Sequence, residues 1–425
     1  MAGIDETKTR WSLAARCGFL PLALLLAAYA APEILGSIPF VDEWATGASL
    51  ALWSALMPGL GAALGIDGPI FVGMTGSSDM TWRWVQLLVI AVFSLVGGVL
   101  WAVIDRRRSD YRELHAWLRI LVRHALALAM FIYGVSKLVD LQFGPVSPIE
   151  LTRTYGESSP MGLAWTFMNY SRPYRCFGGL AEVIGALLLL SRRTTTLGGL
   201  VIVAVMANVV ALNFCYDIAA KIYSSILLIM AIFLITPDAA RMIDMFVYNR
   251  PVVPAELDRP RIGPRMQAVR RVGKLAFAGF LVVLTALYMY LAGVFEVAKP
   301  MPPLYGLYEV EVFALDGAER PPLITDDRRW RQVFFGRDGR AMLQSMTGVR
   351  TFVDLVYDET TGTLTLSSGA DEPRFHAELA ARWVAPDRLD LAGESLRASL
   401  RAIDPDDFPL LQRRFHWINE RSFNR

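Results

Sequence analysis

From Leu118 to Pro237 apolar positions dominate the chain, in the segments Leu118–Leu138, Pro173–Leu190 and Leu197–Tyr216, with a fourth, Ile218–Thr236, following almost at once. At about 1.5 Å per residue, each is long enough to cross a hydrocarbon core of roughly 30 Å, the second and fourth being close to the minimum. Further apolar runs lie at Cys17–Leu35, Trp82–Ile104 and Leu275–Phe295. The pattern predicts a polytopic α-helical membrane protein of about seven spans.

Charge sets the expected orientation. Lys8, Arg10 and Arg16 precede the first run, Arg106-Arg107-Arg108 follow the Trp82–Ile104 run, and Arg192-Arg193 separate two later ones. Positive residues gather on the cytoplasmic side, which places the N-terminus inside and the C-terminal region outside. The first run reads as a retained span rather than a cleaved signal, because Pro32 sits beside the only small-residue cut and the apolar run continues through Leu35. Trp44–Ile66 is apolar but broken by Pro58 and small residues. Counting it as a span would send the Arg106–Arg108 cluster outside, so it is read as a re-entrant or interfacial helix on the outer side. Asp79, in the turn Thr75–Asp79, is expected to cap the helix carrying Trp82 and Trp84. The basic, Pro-rich stretch 238–272 reads as a cytoplasmic linker near anionic lipid.

After Pro300 the period changes to two. Val333–Phe335, Thr351–Tyr357, Thr363–Ser367, Arg374–Leu379, Arg388–Leu391 and Ser395–Ile403 alternate apolar with polar residues, with turn chemistry at Gly336–Gly339 and Asp358–Gly362. A small extracytoplasmic antiparallel β sheet or barrel is expected, ending in an amphipathic tail, Phe408–Arg425. The organisation is therefore N-terminal helices (1–110), a four-helix membrane bundle (111–237), the linker (238–272), a last span (273–299) and the β domain (300–425).

Composition agrees: hydrophobic residues make up 54% of the 425 residues, and the mean hydropathy is +0.38. The three cysteines, Cys17, Cys176 and Cys215, have no metal spacing, and the four histidines are dispersed. Walker, dinucleotide and nucleophile-elbow motifs are absent from the sequence, so metal, haem, nucleotide and nucleic-acid chemistry are not indicated.

The chemistry that stands out is polar residues inside apolar segments: Lys137, Glu182, Asn208, Asn213, Asp217 and Lys221. Ionisable groups are expensive there and mark functional or structural pairs. The topology gives them one shared depth, in the outer half, with Lys137 and Glu182 the expected pair and Asn208 and Asn213 completing the hydrogen bonding. Two readings stand side by side: a pocket for a polar or quinone-like head group with Glu182 as proton acceptor, and a buried pair that fixes helix register. Cys176 and Cys215, at the same ends of neighbouring spans, are candidates for a disulfide in an oxidising compartment, with two unpaired thiols as the alternative.

Tyr133-Gly134-Val135-Ser136-Lys137, Gly179-Leu180-Ala181-Glu182-Val183-Ile184-Gly185, Arg193-Thr194-Thr195-Thr196-Leu197-Gly198 and the stretch from Asn208 through Asp217 to Lys221 resemble the DoxX-like integral membrane proteins of bacteria. Gly76-Ser77-Ser78-Asp79 and Phe415-His416-Trp417-Ile418-Asn419-Glu420 resemble the flanks of a long subgroup of that family. The resemblance implies a four-helix membrane bundle in the bacterial inner membrane and an association with a membrane redox partner or a quinone. It carries over no catalytic residue. The competing expectations are a transporter or lipid- or solute-binding protein using the same cluster, and an anchor whose β domain binds a partner.

Overall fold

The computed structural model describes residues 11–38, 41–73, 75–105, 108, 110–254, 263–297, 301–368 and 375–412. Lys8, Arg10, Arg106, Arg107 and the tail beyond Gln412 lie outside the described residues. The chain divides into two compact units: Met1–Gly144 with Pro160–Ala292, and Pro145–Ser159 with Gly293–Arg425.

The first unit is helical. In chain order the α-helices of the described residues are α1 (Leu13–Leu35), α2 (Val41–Ala63), α3 (Thr81–Ile104), α4 (Arg112–Leu138), α5 (Pro148–Leu151), α6 (Pro160–Tyr170), α7 (Arg172–Leu189), α8 (Thr195–Cys215), α9 (Lys221–Ile235), α10 (Ala239–Phe246), α11 (Pro264–Val297) and α12 (Pro409–Gln412). Among the described residues, five helical segments are long and apolar enough to cross a membrane: α1, α3, α4, α8 and the stretch Lys221–Phe246. Helix α2 runs without interruption through Pro58. The stretch expected as a linker contains α10 and the beginning of α11.

Helix α4 is the centre of this unit. Every residue from Ala125 to Phe131 is buried, so α4 is covered on all sides, as a helix apolar around its whole circumference requires. It packs against α1, α7 and α9, while α7 pairs with α8 and α8 with α9. The ends of these helices are matched. Arg119 of α4 donates to the Leu234 carbonyl at the C-terminal end of α9 (3.1 Å), and Tyr133 of α4 meets Tyr223 at the N-terminal end of α9. Helices α4 and α9 are therefore antiparallel. Phe19 of α1 stacks near His115 of α4, which makes α1 parallel to α4.

The second unit is an antiparallel β barrel with strands β1 (Gly306–Leu315), β2 (Ala318–Glu319), β3 (Trp330–Phe335), β4 (Arg340–Ser345), β5 (Arg350–Asp358), β6 (Thr363–Ser367), β7 (His376–Ala385), β8 (Arg388–Ala392) and β9 (Leu396–Ile403). Strands β3 to β9 form a meander, and β9 returns to pair with β1, closing the sheet and leaving the two-residue β2 beside β1. Closure removes the exposed edges that an open sheet would leave unpaired. The interior is packed with side chains that include Tyr308, Phe313, Trp330, Phe335, Leu364 and Leu400, so the barrel is a solid core and not a container. Arg329 is buried, and its guanidinium donates to the carbonyls of Val310 and Glu311 (both 3.2 Å), where the register of β1 slips.

A second apolar layer lies outside the barrel. Ile403, Leu307, Phe334, Met342 and Phe352 are successive cross-strand partners over β9, β1, β3, β4 and β5. Ile149 of α5, with Tyr305 and Phe408, packs on the Leu307–Phe334–Met342 part of this row. The segment between α4 and α6 is thus built into the barrel unit. Its short helix is held by a capping box, with Ser147 accepting from the Ile149 amide and Glu150 accepting from the Ser147 amide.

Candidate functional site

The site begins with two glycines. Antiparallel helices α4 and α7 cross at Gly134 and Gly179, where a Cβ on either residue would lie 2.7 Å from the other's carbonyl oxygen. Only glycine permits so close a backbone approach. Lys137 and Glu182 each follow one of these glycines by three residues, so they share its helix face. Because Cα–Cβ bonds lean toward the helix N-terminus, the two side chains of an antiparallel pair lean toward each other. The Lys137 ammonium donates to both carboxylate oxygens of Glu182, at 2.9 and 2.7 Å, and both residues are buried.

One step toward the end of the seam lies a second ion pair with the signs exchanged between the helices. Arg175 of α7, 2% exposed, donates to Asp140, which follows α4, and to the carbonyls of Phe143 and Gly144 at 2.8 and 2.9 Å. Sequence reasoning passed over Arg175 and Asp140, whose contact joins positions 35 apart in the chain. The crossed signs of the two pairs resist a slip of one helix along the other.

The pair continues into neighbouring helices. The Lys137 ammonium lies 5.7 Å from the Tyr133 ring centroid, Tyr133 meets Tyr223 of α9 at 5.8 Å, and the Tyr223 hydroxyl donates to Glu33 of α1 at 2.9 Å. Glu33 was missed. Its signal was a carboxylate in the last turn of an otherwise apolar run.

The other expected members divide. Asn213 is buried and donates to the Ser224 hydroxyl (3.0 Å) and the Ala220 carbonyl, tying α8 to α9. Lys221 pairs with the exposed Asp217 at 2.8 Å and lies 3.8 Å from Asp79. Asn208 is on the exposed face of α8, outside the cluster. Asp79 does not cap its own helix: α3 has Met80 as N-cap with no side-chain bond, while the Asp79 carboxylate accepts from the amides of Lys221 (2.8 Å) and Ile222 (3.0 Å). The loop before α3 thus caps α9 in trans, aided by Ser78 donating to the Ala219 carbonyl.

Cys17, Cys176 and Cys215 are free thiols, the second of the two readings given for Cys176 and Cys215. Helix α7 meets α8 at Gly185, where a Cβ would lie 2.6 Å from the Ile202 side chain. Cys176 precedes Gly185 by nine residues, about two and a half turns, and so points away from α8.

A helical bundle with long apolar helices, a partly buried polar line at one end and a separate antiparallel barrel defines a membrane-type protein of composite architecture. No family model matches the chain, and no solved structure matches it. It is 37% identical over 121 residues, 28% of its own length and 77% of the relative's, to the uncharacterized protein YwoB of Bacillus subtilis (strain 168). The chain belongs to the same family as that protein.

Proposed function

We propose that this is a DoxX-like subunit of a quinone-linked redox system in a bacterial inner membrane, binding a polar, quinone-like head group where Tyr133, Lys137 and Glu182 meet and passing electrons with a partner protein. The observation that carries the reading is the continuous line Glu182, Lys137, Tyr133, Tyr223 and Glu33, contributed by four helices at one end of an apolar bundle. A pair that only fixes register needs two residues. Here Tyr133 remains 37% exposed, which gives the line an access point from the lipid side. Intramembrane ionisable residues with named partners are the usual mark of a functional site.

The reading places the N-terminus inside, α2 at the outer interface and the barrel outside. Support comes from the barrel unit itself. The α4–α6 loop and the C-terminal strands fold as one body and so occupy one compartment, as the charge-based topology requires.

The test is quinone binding to the full-length protein in liposomes, titrated by fluorescence quenching. Lys137→Met and Glu182→Gln should each weaken binding at least tenfold. Unchanged binding in both variants, with the helices intact by circular dichroism, overturns the reading.

A further inference from the structure

We propose that Glu33, through the Tyr223 hydroxyl, is the carboxylate of this site that exchanges a proton with the bound head group, while Glu182 stays ionised as the fixed partner of Lys137. The inference rests on the head-group reading for its ligand but not for its chemistry.

The two carboxylates have opposite surroundings. Glu182 is held by both oxygens against an ammonium, which neutralises its charge and occupies its acceptors. Glu33 has no cation in hydrogen-bonding or ion-pair contact among the described residues; its partner is a phenol, Tyr223. Tyr133 of α4, in ring contact with Tyr223, is a further phenol beside it, and Tyr288 of α11 lies near Tyr133. The nearest cation on the α3 side, Arg83, lies beside Tyr29 one turn earlier on α1 and against the Trp82 ring. Glu33 also occupies the last turn of α1, where the helix dipole opposes negative charge. A carboxyl that lacks a counter-ion and sits at a helix C-terminus gains most from taking up a proton. Two carboxylates in contrasting environments divide the roles of fixed charge and proton carrier.

The transfer needs no further reagent. A ligand hydroxyl gives its proton to the Tyr223 oxygen as the Tyr223 O–H proton passes to the Glu33 carboxylate, leaving the ligand oxygen with the electron pair and Glu33 as the acid. The reverse path returns the proton. Tyr133, in ring contact with Tyr223 and beside Lys137, sets the ligand between the two carboxylates.

The test uses the ligand-free, full-length protein in liposomes and infrared difference spectra between alkaline and acidic buffer. The expected result is a carboxylic-acid stretching band, shifted by deuterium oxide, that Glu33→Gln removes and Glu182→Gln retains. Tyr223→Phe should move the band to higher frequency by removing its hydrogen bond. Loss of the band in Glu182→Gln with retention in Glu33→Gln overturns the assignment, as does the absence of any band that distinguishes the wild type from Glu33→Gln. Failure of quinone to bind would leave this spectrum unaltered, so the two readings fail separately.

Discussion

Lys137 and Glu182 meet in a two-point ion pair across a helix crossing that only glycine allows, and this arrangement fixes what each substitution should do. Removing one partner strands the other charge in an apolar seam. Lys137→Met or Glu182→Leu alone should destabilise the bundle by about 3–5 kcal/mol, while the double variant should recover most of that loss. Thermal unfolding in detergent, set out as a double-mutant cycle, measures it. A loss in the double variant equal to the sum of the two single losses would show that the pair has no energetic coupling.

The crossing itself can be probed without touching a charge. Gly179→Ala puts a methyl 2.7 Å from the Gly134 carbonyl oxygen and 3.0 Å from the Lys137 Cβ, so α4 and α7 must separate. The expected cost is about 1–3 kcal/mol, typical of overpacking. Gly178→Ala, one position away and facing open space, serves as the control and should unfold within a degree or two of wild type.

Much of this was legible in the sequence, and the failures around the site share a cause. The apolar runs located α3, α7, α8 and α9 to within a few residues, and the intramembrane charges singled out Lys137 and Glu182 as partners. Glu33 escaped because its partner, Tyr223, is 190 positions away. Asp79 was assigned to the nearest helix start, although its carboxylate serves one 142 positions on. Both bonds depend on which helix ends coincide, which local pattern does not encode. Strand β4 escaped for another reason. Its residues Ala341–Ser345 are buried on both faces, Leu343 inside the barrel and Met342 under Ile149, so the period-two signal vanished.

The trans cap makes a local prediction. Asp79→Ala removes the acceptor for two α9 amides and the nearby charge for Lys221, at a cost of about 1 kcal/mol. Hydrogen exchange should quicken at Lys221 and Ile222, while the first turn of α3 is unaffected. Faster exchange at the start of α3 instead would return Asp79 to its own helix.

The barrel should carry an acid-sensitive corner. The Arg320 guanidinium, donating to Asp326 at 2.7 Å, and the amides of Arg328 and Arg329 hold the Asp326 carboxyl below its usual range. A carboxyl lowered on folding stabilises fully above its unfolded value, about 3.9, and loses that contribution as the pH falls through the lower folded value. Exchange in the peptide spanning Arg320 to Trp330 should therefore rise on acidification below about pH 4. Asp326→Asn should exchange faster at neutral pH and lose the acid dependence. An acid response that persists in the Asn variant would assign it to another carboxyl.

Ile149 tests the loop that belongs to the barrel. Its side chain packs on Leu307, Phe334 and Met342, and Thr152 accepts from Arg350 at 3.4 Å, so the segment Pro145–Ser159 closes an apolar row that β1, β3 and β4 would otherwise expose. Ile149→Asp places a charge on that row and should cost the barrel unit about 2 kcal/mol, the scale of burying one such side chain. Arg153 lies in the same segment, so brief trypsin treatment of the full-length variant should cut there several times faster than in wild type. Wild-type resistance in Ile149→Asp would mean that the capping box and Arg350 hold the loop without the apolar contact. The same packing limits a simpler experiment. Deleting Tyr305–Arg425 removes the partner of this loop as well as the barrel, so activity lost in that truncation does not locate the function in the barrel. Ile149→Asp keeps the strands while freeing the loop, and it is the variant that separates the two.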